Sequence, residues 1–142
     1  MPNKYFSFSY IGFPQTDIAG NIIGETYRPI VQVRISYGHR LSREYDALVD
    51  SGSDRNLFPA ELGELLGISF KKQKSKIING IGGIKIKAYS VNIVIYLGSY
   101  KYNTSTDFSY EQRDLLLGRE GFFNLFTKLI FRENDKFLDI YL

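Results

Sequence analysis

No cysteine occurs in this 142-residue chain, and histidine occurs once, as His39. The first absence excludes disulfides, thiol nucleophiles and cysteine-ligated metals. The second leaves no histidine cluster to hold a metal. The lone imidazole, in an exposed-looking "YGHR" turn, does not read as the base of a Ser-His-Asp triad. Long apolar runs are missing as well. No stretch approaches the roughly 20 residues that span a bilayer, and the N-terminal "MPNKYFSFSYIGFP" lacks the apolar run of a signal peptide. These features predict a soluble, cytoplasmic protein with no metal and no cofactor.

What is present points to a globular β domain. Apolar residues make up 44% of the chain and charged residues 23%, a balance that supports a core and argues against disorder. The length fits one domain and is enough to bury a core without covalent staples. Tyrosine and phenylalanine occur 11 times each, and both favour strands. Net charge is +3, with one dense basic run, "KKQKSK". Lys71, Lys72, Lys74 and Lys76 read either as a solvated loop or as a nucleic-acid contact. The run lacks interleaved aromatics, which favours the loop.

Periodicity places the elements. "RPIVQVRISYG" alternates Val31, Val33 and Ile35 with Ile30, Gln32 and Arg34, which predicts a strand with one wet face. After a turn at "SYGHRLS", the segment "REYDALVD" returns and loses its polar face as it nears Asp50. "NLFPAELGELLGI" carries a short helix signal, with Pro59 at its start, leucines on one face and Gly67 just past its end. "KIINGIGGIKIKAYSVNIVIYLG" predicts a hairpin with Gly80, Gly82 and Gly83 at its tip, and Asn79-Gly80 as residues that accept positive φ. "RDLLLGREGFFNLFTKLIF" predicts a short apolar strand ending at Gly118, then a second helical stretch carrying Phe122, Phe123, Leu125 and Phe126. "KLIF" and "KFLDIYL" close the chain as strands around "RENDK". Many short strands with two short helices predict an all-β fold, a small closed β-barrel.

Three patterns occur in one order: "LVDSGSD", "IINGIGGIKIK" and "LLLGREGFF". A carboxylate at the end of an apolar strand is costly to bury unless something uses it, although a strand-end aspartate also serves as a turn cap. With these motifs in this order the chain resembles the retropepsin-like aspartic proteases, over residues 28–142; residues 1–27 lie outside the resemblance as an N-terminal extension packed on the barrel. The resemblance implies an aspartic endopeptidase. Metal-free peptide hydrolysis can use a water held between two carboxylates, one ionised to take its proton and one protonated to polarise the carbonyl. Two such groups at close range share one proton and titrate together. This chain has a single Asp-Ser-Gly, so the resemblance implies a homodimer with one catalytic aspartate from each copy and a peptide or protein substrate.

Residue roles follow from the same resemblance. Asp50 is the catalytic acid or base. Ser51, Gly52, Ser53 and Asp54 complete the active-site loop, with Ser51 bracing the two loops across the axis and Gly52 and Asp54 meeting substrate backbone. Asn79, Gly80, Ile81, Gly82 and Gly83 form the flap that closes over substrate and excludes water. Leu117 and Gly118 pack beneath the loop, and Arg119 pairs with Asp54 as a buried ion pair near the subunit interface. Asp54 reads equally as a solvated loop carboxylate. The glycine tip also fits an ordinary hairpin with no lid role. Asn79 stands where the retroviral flap has another glycine. The final "KFLDIYL" is a candidate for the interleaved terminal sheet of retroviral dimers. An intact motif does not guarantee turnover, so a catalytically silent dimer of this fold that binds peptides or proteins is the alternative.

Overall fold

The computed structural model describes residues 4–142, apart from the side chain of Ile81. The alternating segments form the strands that their period predicts. Strand β1 spans Tyr5–Ser9, β2 Ile11–Thr16, β3 Ile22–Arg28, β4 Ile30–Tyr37, β5 Arg40–Leu41, β6 Tyr45–Val49 and β7 Leu57–Pro59. Helix α1 covers Ala60–Leu65; β8 Ser75–Asn79, β9 Lys85–Leu97, β10 Tyr100–Ser109, β11 Leu115–Leu117, β12 Lys128–Arg132 and β13 Phe137–Tyr141 follow. The hydrogen-bonded order β4-β6-β11-β7-β10-β9 returns to β4 through a further β4–β9 pairing, so these six strands close a barrel. Closure removes the exposed edges that an open sheet would offer.

The barrel fills with the residues that alternate inward. Val31, Val33 and Ile35 of β4, Ala47 and Val49 of β6, Ile93, Ile95 and Leu97 of β9, and Leu117 of β11 are all nearly inaccessible. Full burial of each valine, isoleucine or leucine among them stabilises the fold by about 1.5–3 kcal/mol. Phe58 and Phe108, both fully buried, meet edge to face with ring centroids 5.9 Å apart. Gly63 in α1 has a packing reason. A Cβ there would sit 2.5 Å from the Phe70 ring, so glycine admits that ring against the helix.

The first helix is as short as the sequence suggests, and the second stretch is shorter still. Pro59 ends β7 and caps α1, with ψ of 133°. Gly67 (φ +84°) closes the helix as a Schellman turn, its N–H donating to the Glu64 carbonyl and the Ile68 N–H to the Gly63 carbonyl, each at 3.0 Å. The second stretch is only a 3-10 turn, Phe123–Leu125. Phe122 and Phe126 bury against the barrel without a full helical turn between them. The hairpin tip also differs in detail. Asn79 is the last residue of β8, Gly80 keeps a negative φ of −88°, and positive φ falls on Gly82 and Gly83 instead.

The termini make a separate sheet in the order β1-β13-β12. Tyr5 pairs with Tyr141 and Ser9 with Phe137 along β1–β13, while Lys128 pairs with Tyr141 along β12–β13. Strand β13, the "KFLDIYL" segment, therefore has both edges filled by its own chain. It has no free edge to interleave with a second copy, contrary to the sequence expectation. Residues 11–28 form the β2–β3 hairpin, and Tyr10, between it and β1, reaches the core.

One charge sits inside this terminal sheet. Asp139 is buried, with its carboxylate 2.9 Å from Nε of Arg132. A hydrogen bond from Ser7 and the Arg132 guanidinium outweigh desolvation and hold its pKa below the ordinary carboxylate value. A lowered folded pKa stabilises the fold above the unfolded pKa, and that share disappears as pH falls through the folded value. Urea unfolding across roughly pH 2–5 should show stability falling with acid, and Asp139→Asn should flatten that slope. An unchanged slope in the variant would assign the acid sensitivity to other carboxylates.

Candidate active site

Strand β6 runs parallel to β11, with Leu115, Leu116 and Leu117 in register with Ala47, Leu48 and Val49. The pairing continues one step beyond the strand, where the Asp50 N–H donates to the Leu117 carbonyl at 2.9 Å. Asp50 is thus delivered at the end of a buried strand and is itself half-buried. Its Oδ1 accepts the Gly52 N–H at 2.9 Å, and the Ser53 N–H donates back to the Asp50 carbonyl at 3.1 Å. The loop is a tight turn wrapped on its own carboxylate. Ser51 and Gly52 are exposed at its outer face.

The segment after β11 clamps the loop from beneath. Arg119 N–H donates to the Ser53 carbonyl at 3.0 Å and Glu120 N–H to the Asp54 carbonyl at 2.9 Å. Gly118 is buried so closely that a Cβ would lie 2.4 Å from the Arg55 carbonyl oxygen. Asn56, fully buried, locks the arrangement: its Oδ1 accepts the Gly118 N–H at 2.9 Å and its Nδ2 donates to Thr106 Oγ1 at 3.3 Å. The Asp54 and Arg119 side chains meet as an ion pair, yet both are largely exposed in the single chain, at 84% and 62%. In that setting the pair contributes about 0–1 kcal/mol, not the larger value of a buried pair.

The hairpin β8–β9 stands over the loop. Asn79 pairs with Lys85, and the Gly80 N–H donates to the Ile84 carbonyl at 2.7 Å, so Gly80, Ile81, Gly82 and Gly83 make the tip. Between hairpin and loop lies a groove of about 650 Å³. Its walls include Gly52, Ser53 and Asp54 from the loop, Ile78, Asn79, Gly80 and Ile86 from the hairpin, and Leu57 and Leu116 from the barrel. Asp50 and Ser51 border a second hollow of about 390 Å³, shared with Arg28, Pro29, Phe131 and Glu133. One Glu133 oxygen there accepts the Tyr10 hydroxyl at 2.8 Å; burial, and then that carboxylate, push the phenol up to about 12. The loop, the hairpin tip and the Leu117-Gly118-Arg119 segment therefore converge, although they are widely separated in sequence.

Several residues of the site were not legible as such. Asp107, 1% exposed, lines the groove and binds Arg55 Nε at 3.1 Å, Lys76 Nζ at 3.0 Å and Ser90 Oγ at 2.7 Å. Outside an Asp-Ser-Gly context it reads as an ordinary carboxylate. Its one signal is a place beside Phe108 near the end of β10, a strand otherwise rich in serine and threonine. Lys76 belongs in sequence to the basic run, but its ammonium turns into the groove while Lys71, Lys72 and Lys74 remain exposed around the bend. The run is thus split between two surroundings. Among the described residues no helix is long and apolar enough to cross a membrane, and no cluster of acidic or histidine ligands could hold a metal.

No protein-family model and no curated protein matches the chain. Solved structures do. The chain is similar to a retropepsin-like aspartic protease from Rickettsia conorii, with a TM-score of 0.60 and 12% identity over 99% of this chain and 94% of that one. It is also similar to EIAV protease complexed with the inhibitor HBY-793, with a TM-score of 0.53 and 22% identity over 65% of this chain and 82% of that one. At these identities the likeness is one of architecture: the chain has the retropepsin fold.

Proposed function

We propose that the protein is an aspartic endopeptidase that works as a homodimer, with Asp50 of each copy holding one water between them. The observation that carries this reading is the placement of Asp50: it ends a buried strand, in a loop of small residues, beside a groove roofed by a glycine-tipped hairpin. In the dimer one carboxylate takes the proton of the attacking water. The other, protonated, hydrogen-bonds the scissile carbonyl and then supplies the leaving amine. Ser51 braces the paired loops, and Gly52 and Asp54 meet the substrate backbone. The tip from Asn79 to Gly83 closes over the bound peptide and excludes water. Leu117, Gly118 and Arg119 support the loop. The Asp54–Arg119 pair loses its exposure when the second copy packs against it.

Because β13 is paired on both sides, we place the second copy at an outer edge of the terminal sheet, β1 or β12. Strand β12 is the better edge, since Phe131 borders the same hollow as Asp50. Two β12 strands paired antiparallel across the axis give one continuous sheet of both chains. The cations of β12 are engaged within their own chain, Lys128 over the Tyr141 ring and Arg132 by Asp135 and Asp139, which limits repulsion across the seam. The cysteine-free background makes this testable. Ile130→Cys, mid-strand and 37% exposed, should crosslink two copies under mild oxidation, and Tyr5→Cys on the β1 edge should not. Sedimentation should give twice the 16.3 kDa chain mass. A monomer at all concentrations sinks the protease reading, and crosslinking through position 5 alone moves the seam to β1.

A further inference from the structure

Among the described residues, strand β8 is the terminal strand of the barrel sheet and pairs only with β9. The β9–β10 ladder stops at Tyr89, opposite Phe108, whereas β8–β9 pairing runs on to Lys85. The hairpin from Lys85 to Ala88 and its β8 partners therefore projects past the barrel wall with no third strand behind it. A two-stranded ribbon of this kind is marginal on its own. Beside the burial of Ala88 at its base, two polar side-chain contacts among the described residues tie it to the barrel. Lys76 of β8 places Nζ 3.0 Å from Asp107 of β10, and Glu111 accepts the Lys87 N–H of β9 at 3.1 Å.

We infer that Lys76 and Asp107 form a latch that holds the flap strand β8 against the barrel wall, making both positioning residues for the groove. The anchor is suited to the task. Asp107 is 1% exposed and is fixed from other directions by Arg55 and Ser90, so it cannot follow a departing lysine. Arg55 is fixed in turn by Glu120 and Ser105. The Lys76 side chain, at 40% exposure, is the movable half. Opening the hairpin must separate an ammonium from a buried carboxylate, and that resistance sets how often the groove opens. Other charges lining the groove are Asp54, engaged by Arg119, and Glu111, which makes the second tie on β9.

The test uses Lys76→Met, which keeps the apolar stem and leaves Asp107 paired with Arg55 and Ser90. Amide hydrogen exchange along residues 76–79 should accelerate about tenfold, while the barrel amides of β4 and β6 keep their rates. Lys76→Arg should restore slow exchange. Unchanged exchange in residues 76–79 overturns the latch, as does acceleration spread evenly through the barrel, which is the mark of a merely structural ion pair. The latch rests on the protease reading only for its kinetic consequence: KM should rise about fivefold with kcat within about twofold, since the chemistry is untouched. If the wild-type protein cleaves nothing, that reading fails and the exchange result still decides the latch.

Discussion

Replacing Asp50 by asparagine is expected to reduce peptide cleavage by roughly 10³-fold or more while leaving the dimer folded. The amide is nearly the same size and its oxygen can still accept the Gly52 N–H that now meets Oδ1 at 2.9 Å. What it cannot do is exchange a proton with water. The dimer then holds no carboxylate to act as base and no carboxylic acid to polarise the carbonyl. Sedimentation and thermal unfolding should match the wild type, so the loss is chemical and not structural. Turnover that survives the substitution would assign the chemistry elsewhere. Absence of cleavage in both proteins, with an intact dimer and groove, would favour a peptide-binding module on the same fold.

The second large effect is one of packing. Gly118→Ala should destabilise the protein by about 3 kcal/mol or more, and with it the active-site loop. A methyl group at 118 would meet the Arg55 carbonyl oxygen at 2.4 Å, its carbon at 2.5 Å and the Ser53 carbonyl oxygen at 2.8 Å. These are backbone atoms, held by Arg119 and Glu120 N–H groups on one side and by Asn56 on the other, so no side-chain end can swing away. Gly82→Ala is the contrast. Nothing lies within 4 Å of its Cβ, and the cost is only that of φ +82° in an L-residue, about 1 kcal/mol. Urea midpoints of the two variants should separate clearly. Equal midpoints would mean that the loop rests on the β11 end less tightly than the distances require.

Much of this site could be read from the chain because its parts are local patterns. A period of two marked β4 and β6, and the loss of alternation before Asp50 marked the strand that dives into the core. The glycine-rich tip marked a hairpin, although the positive φ values fall three residues later than Asn79-Gly80 suggested. The order of the three motifs anticipated their convergence. What stayed hidden was whatever depends on distant partners. Asp107 acquires its meaning from Arg55, Lys76 and Ser90, and Asn56 from Gly118 and Thr106, across separations that no local window spans. Apolar content at Phe122–Phe126 suggested a helix, but three residues of 3-10 turn bury the same rings. Nothing local in the closing strand shows that β1 and β12 fill both of its edges.

Mixing wild-type chains with Asp50→Asn chains tests most directly whether each copy contributes half of one catalytic centre. After subunit exchange at equal amounts and constant total protein, random pairing leaves about a quarter of the dimers with two aspartates, so activity should fall to about a quarter of the all-wild-type value. A fall to only about one half, the result for chains that act independently, would contradict a centre shared across the two-fold axis.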